Sequence, residues 1–193
     1  GATVRCSADA RFVGVHTHAS FDVEEAMAEQ PARFTNANGL CTLAITAPRV
    51  FVYARFDDCY GHMPIEWHDS FAERDLMIRK DCNVRALVVS ESNGEPCAFV
   101  PIKLSYPWED DQSDFSRYEG IVGRCDAAGD FVLWHAQCLA FWRPEQAELT
   151  LQAVVAGAET QAVRVLLNDL KQEPIRLLCP PFGSIQLRYA AEV

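Results

Sequence analysis

The chain has no run of eighteen apolar residues, so no segment suits a membrane-spanning helix. It contains no Asn-x-Ser/Thr triplet, no Gly-x-Ser-x-Gly turn and no glycine-rich phosphate loop. Its ten glycines are dispersed between segments as turn residues. These absences remove the common serine-hydrolase elbow and the nucleotide-binding loops. Basic residues are also few, 17 against 27 acidic ones, and they are scattered singly along a chain of net charge −10. Such a chain repels phosphate backbones and anionic surfaces, so neither nucleic acid nor membrane is expected as a partner. Internal repeats, low-complexity stretches and linker-like segments are missing too. The 193 residues therefore suit a single domain, 1–193, with a core of its own.

What is present is mostly strand signal. Short apolar stretches recur every ten to fifteen residues between Gly, Pro, Asn and Asp. Strands are predicted at Val4–Cys6, Phe12–His16, Leu40–Thr46, Arg49–Phe56, Val84–Ser90, Ala98–Leu104, Phe131–Phe141, Ala147–Val155, Gln161–Leu167, Ile175–Cys179 and Ser184–Ala190. Two alternate cleanly. Ala147, Leu149, Leu151, Ala153 and Val155 oppose Glu148, Thr150 and Gln152, and Ile185, Leu187 and Tyr189 oppose Gln186 and Arg188. Ala156-Gly157-Ala158 and Asn93-Gly94 read as hairpin turns. Helical signal is sparse. Asp22 is placed to cap Val23–Gln30, and Ser70–Arg79 spaces Phe71, Leu76 and Ile78 for a second short helix. The expected fold is mainly β, an antiparallel β-sandwich or barrel-like domain with one or two short helices in the N-terminal half.

Eight cysteines would permit four disulfides. A chain of this length does not need such staples. Cys41 and Cys138 lie inside apolar stretches, where a free thiol packs as a small hydrophobe. Free, buried thiols are expected, in an intracellular and more specifically cytoplasmic chain rather than a secreted one. No signal peptide is read at the start.

Two groups of residues have metal-ligand spacing. His16-Thr17-His18 on a strand sends both imidazoles to one face, and Asp22 follows with an oxygen ligand, a set suited to a divalent metal. Cys59-Tyr60-Gly61-His62 and His135-Ala136-Gln137-Cys138 could together supply a Cys2His2 zinc site from Cys59, His62, His135 and Cys138. If Trp134–Phe141 is one strand, however, a spacing of three puts His135 and Cys138 on opposite faces. The plainer reading makes Cys138 core and His135 a residue of the other face.

The segment Phe12-Val13-Gly14-Val15-His16-Thr17-His18-Ala19-Ser20-Phe21-Asp22, followed by Gly39-Leu40-Cys41-Thr42-Leu43-Ala44-Ile45-Thr46, resembles the opening of the PHP-family phosphoesterases. The resemblance implies a metal-dependent hydrolase using His16, His18 and Asp22. It covers about a fifth of the chain. It stops at Ala47-Pro48, where that family carries Asp-His, and neither a later His/Glu series nor an alternating strand–helix pattern follows.

Among the four tryptophans, Trp134 and Trp142 lie in the most apolar stretch and read as core. Trp67 and Trp108 lie beside charged, loop-like segments. Trp108 precedes Glu109-Asp110-Asp111, the densest acidic run, whose plain reading is a solvated loop. Aromatic groups beside charge also suit an interface, which makes Trp67, Trp108, Asp110 and Asp111 candidate contact residues. With no nucleophile elbow, no cofactor loop and no basic footprint, the leading expectation is a non-enzymatic scaffold or adaptor that binds another protein and holds no cofactor. The alternatives are a hydrolase holding zinc or another divalent metal, and a carbohydrate-binding β-sandwich that stacks sugars on Trp67 and Trp108.

Overall fold

A computed structural model describes residues 1–8, 25, 27–66, 73–110, 113–140, 148–170 and 172–181. Among the described residues there are twelve strands: β1 Thr3–Ser7, β2 Arg33–Phe34, β3 Arg49–Phe56, β4 Cys59–Glu66, β5 Arg79–Lys80, β6 Val84–Ser90, β7 Pro101–Asp110, β8 Ser113–Arg124, β9 Asp130–Leu133, β10 Glu148–Ala153, β11 Val163–Leu166 and β12 Ile175–Cys179. They form three sheets, in the orders β2-β1-β3-β4-β5, β11-β10-β7-β8 and β12-β6-β9. Pairing is antiparallel except for β12 on β6. The expected mainly β, sandwich-like architecture is what the chain adopts.

The sandwich proper is the four-stranded sheet packed on the three-stranded one. Leu149, Leu151 and Ala153 of β10 and Ile102 and Leu104 of β7 are buried against Ala86 and Val88 of β6 and Leu177 of β12. The alternation in β10 thus points its apolar half inward, and the Gly157 turn (φ +76°) returns the chain into β11 as a hairpin. Asn93-Gly94 also turns, with the Gly94 N–H donating to the Ser90 carbonyl at 2.8 Å, but it does not join paired strands. The chain makes one bridge, Val89 to Pro96, and then crosses to the opposite sheet as β7. The turn chemistry was legible; the change of layer depends on which sheet needs Ile102 and Leu104.

The five-stranded sheet has two covered faces. On one, Phe51, Tyr53 and Tyr60 pack with Met27. Arg5 holds that cover in place, donating to the carbonyls of Met27, Ala28 and Gln30 at 3.2, 2.5 and 2.5 Å. On the other, Val50, Val52 and Ala54 are covered by Cys41, Leu43 and Ile45. Residues 41–46 keep the period-two burial expected of a strand but belong to no ladder. They act as an extended strap laid across the sheet.

Of the two helical expectations, Val23–Gln30 is described only at Glu25, which is helical, and at 27–30, while Ser70–Arg79 does not hold over 73–79. Turn contacts follow Glu25, from the Ala28 N–H to the Glu25 carbonyl and from the Gln30 N–H to the Met27 carbonyl. Residues 73–78 are extended, with Leu76 and Ile78 turned to the sheet and Met77 exposed, a period of two that overrides the helical spacing. Further helical turns lie later, as 3-10 segments at Ala136–Ala140 and Leu167–Asp169. The strand predicted over Phe131–Phe141 ends at Leu133. The predicted strands Phe12–His16 and Ser184–Ala190 lie outside the described residues. All eight thiols are unbonded; Cys125 and Cys179 are buried, whereas Cys41 and Cys138, expected to be buried, are half-buried.

Gly61 is required by a backbone contact. Residues 73–78 cross so close to β4 that a Cβ at Gly61 would run into the Met77 carbonyl. Gly61→Ala should lower stability by about 1–3 kcal/mol through this overpacking. The expected result is a lower urea midpoint; an unchanged midpoint would show that the covering segment moves without cost.

Candidate functional site: a buried histidine–aspartate–tyrosine joint

Among the described residues, a buried polar cluster lies where the five-stranded sheet meets the sandwich. β4 carries Tyr60 and His62 on the Phe51/Tyr53 face of its sheet. β5 delivers Asp81 immediately after Lys80, and the Asp81 N–H donates to the Asp58 carbonyl at 2.7 Å. From the sandwich side, β9 ends at Leu133 and His135 takes a left-handed backbone conformation (φ +51°). That sharp reversal is fixed by the Asn83 side chain, which accepts the His135 N–H at 2.8 Å. The Cys138 N–H then bonds the His135 carbonyl at 2.9 Å to open the 3-10 segment.

Three interactions meet on the His135 ring, which is 3% exposed. Nδ1 lies 3.0 and 3.1 Å from the two Asp81 carboxylate oxygens. The ring stacks on Tyr60, with centroids 3.7 Å apart and planes 10° from parallel. Trp134 lies beside it at 6.5 Å. Tyr60, itself fully buried, places its hydroxyl 3.1 Å from His62 Nδ1. Arg55 reaches Asp81 at 3.5 Å. Gln137 accepts the Cys82 N–H at 3.0 Å, and the Ala136 N–H bonds the Cys82 carbonyl at 2.8 Å. Burial pushes the Asp81 carboxyl up, but His135, Gln137 and the Arg55 guanidinium outweigh it and hold the group below its usual range. Burial also pushes the Cys82 thiol up to about 11 and the Cys138 thiol higher still.

Three of the four residues with zinc-ligand spacing therefore meet around Tyr60: His62, His135 and Cys138. Cys59 does not join them. The β3–β4 register is unbroken, so Cys59 and His62, three apart, point to opposite faces. Among the described residues no group of three or more His, Cys, Asp or Glu side chains is set to hold a metal ion. The strand argument that separated His135 from Cys138 fails, because the strand stops before His135. Asp81 and Tyr60 were missed in the sequence. Their only signal was position, Asp81 just beyond a short strand and Tyr60 inside the Cys-x-x-His spacing.

The other candidates fall elsewhere. His16, His18, Asp22, Trp67 and Asp111 lie outside the described residues. Trp108 and Asp110 stand in β7, paired with Ser116 and Ser113, so most of the acidic run is strand at a hairpin end rather than open loop.

No family model matches the chain, and no curated protein does. The fold search returns crystal structures of the shaft pilin SpaA from Lactobacillus rhamnosus GG. One variant has TM-score 0.37 and 9% identity over 96% of this chain and 85% of the pilin; a double variant has TM-score 0.36 and 10% identity over 96% and 89%. The likeness is one of coarse β architecture. With shaft pilins as these neighbours, the cytoplasmic expectation is withdrawn, and a likeness at this TM-score puts no other location in its place.

The depressed Asp81 carboxyl has a definite sign. Its folded form binds its proton less tightly than the unfolded chain does, so its contribution is complete above the unfolded carboxylate range. It is lost as pH falls through about 4 and below. Asp81→Asn should be less stable at pH 7 by about 1.5–3 kcal/mol, the worth of hydrogen bonds to a charged group. Between pH 5 and pH 3 it should lose less stability than the parent. Urea midpoints that fall in parallel for the two proteins would refute the assignment.

Proposed function

We propose that the chain is a single β-rich, non-enzymatic interaction module, 1–193, that binds another protein as a scaffold or adaptor. The observation that carries this reading is Phe99. A bulky residue pays about 1–2 kcal/mol to sit in the left-handed region, and Phe99 does so at φ +58° while 60% exposed. Its backbone is held there from three sides. The Phe99 N–H donates to Asp126 at 3.3 Å, Arg124 donates to its carbonyl at 3.4 Å, and the next N–H, of Val100, bonds the Cys125 sulfur at 3.2 Å. A strained aromatic displayed to solvent by a well-tied loop fits a contact made with something outside the chain.

The surroundings fit a protein surface. Ile121, 62% exposed, stands on β8 opposite Lys103, near the same end of the β7–β8 hairpin. Trp108 and Asp110 occupy its other end. The −10 charge supports a protein partner over nucleic acid or an anionic membrane.

The test places a photo-crosslinking phenylalanine analogue at Phe99 and, separately, at exposed Glu159. Irradiation in an extract of the source cells should yield a discrete protein adduct from position 99 and none from position 159. Equal labelling at both positions, no adduct at either, or an adduct that is carbohydrate would overturn the reading.

A further inference from the structure

β8, Ser113–Arg124, is the longest strand among the described residues and the outermost of the sheet β11-β10-β7-β8. β7 pairs with its inner side, and no described strand pairs with its outer side. An edge of this kind presents ladder donors and acceptors to any strand that can be laid against it. The register with β7 is regular from Ser116 to Ile121 and shifts at either end, between Trp108 and Asp110 and between Ile102 and Lys103. The stretch suited to further pairing is therefore the regular middle of the strand.

Alternation sorts that middle into two faces. Tyr118 and Gly120 stand opposite buried Tyr106 and Leu104, on the core side. Arg117, Glu119 and Ile121 stand opposite Pro107, Ser105 and Lys103, on the outer side, where Glu119 and Ile121 are exposed. Glu119 forms an ion pair with Lys103. The Tyr118 ring packs on Tyr106 of β7, with centroids 5.1 Å apart, and lies over Gly120 of its own strand, where a Cβ would collide with the phenol hydroxyl. It leans into its own sheet and not across the open edge.

We propose that β8 pairs antiparallel with β8 of a second copy of this chain, about a two-fold axis at Tyr118, so that two four-stranded sheets become one continuous sheet. That axis sets Arg117 of each copy opposite Glu119 of the other, and Ser116 opposite Gly120. One position further out it sets Phe115 opposite Ile121. Opposite charges across such a seam stabilise it, as do paired apolar residues, and like charges oppose it. The neighbouring registers fail on this ground. An axis at Glu119 sets the two Glu119 residues against each other, and an axis at Arg117 does the same with the arginines. A one-residue slip exchanges the core and outer faces. The net charge of −10 opposes the meeting of two copies. At physiological ionic strength, however, exposed charges more than about 8 Å apart are largely screened, and the seam itself alternates in sign. Pairing at β8 does not depend on any contact made by Phe99.

Sedimentation velocity of the full chain, at micromolar concentration and physiological ionic strength, should show a dimer that dissociates on dilution. Glu119→Lys sets cation against cation in both pairs, and Arg117→Glu sets anion against anion. Each should weaken dimerisation by about tenfold or more. An equimolar mixture of the two variants restores both opposite-charge pairs and should sediment as a heterodimer. The double variant Arg117→Glu/Glu119→Lys should dimerise like the parent. Recovery in the mixture separates loss of the seam from loss of the fold. A parent that stays monomeric, single reversals that leave the dimer intact, or a mixture or double variant that stays monomeric would overturn the proposal.

Discussion

The stack of His135 on Tyr60, anchored by Asp81, is the contact on which the arrangement of this molecule depends. Among the described residues, the five-stranded sheet and the sandwich have separate apolar clusters. A ring stack between two buried side chains fixes distance and orientation together, and the carboxylate at Nδ1 fixes the rotation of the imidazole. Backbone bonds then extend the joint on both sides, from Asp81 to Asp58 and from Cys82 to Ala136. A buried polar joint is costly unless satisfied, and that makes it specific: a rotated or shifted sheet would strand a carboxylate.

This explains the unusual backbone at His135. A left-handed histidine is tolerated where surrounding bonds determine it, and the Asn83 side chain and the 3-10 segment do so here. It also explains how residues with zinc-ligand spacing come near one another, although among the described residues no group is set to hold a metal ion. His62, His135 and Cys138 are gathered by the aromatic packing of Tyr60, and the imidazole nitrogen that faces Asp81 is committed to a carboxylate.

Phe99 is the counterpart of His135 on the surface. Both are bulky residues with left-handed backbones, but His135 is compensated by contacts inside the chain and Phe99 stands largely in solvent. The thiol cluster of Cys97 and Cys125 lies directly beside the Phe99 loop, so the loop is tied to the core at its base while its aromatic ring is displayed.

Much of the fold was legible from residue pattern. β3, β6 and β12 have the boundaries that apolar runs and turn residues indicate, and β10 buries the half of its alternation that is apolar. Period and turn chemistry are local properties, and they suffice where one face is buried. They did not reveal β4 or β8. The first was masked by its Cys-x-x-His spacing, and the second combines polar residues with glycine on an edge strand. Nor could local pattern show that Leu40–Thr46 would be a strap without a ladder, or that β7 would change sheets after a turn suited to a hairpin. The joint was the least legible feature of all. Asp81, Tyr60 and His135 are far apart along the chain, and the His-x-x-Cys spacing that marks His135 points to a metal rather than to Asp81 or Tyr60. Only the packing of one sheet against another brings a carboxylate, an imidazole and a phenol within bonding distance.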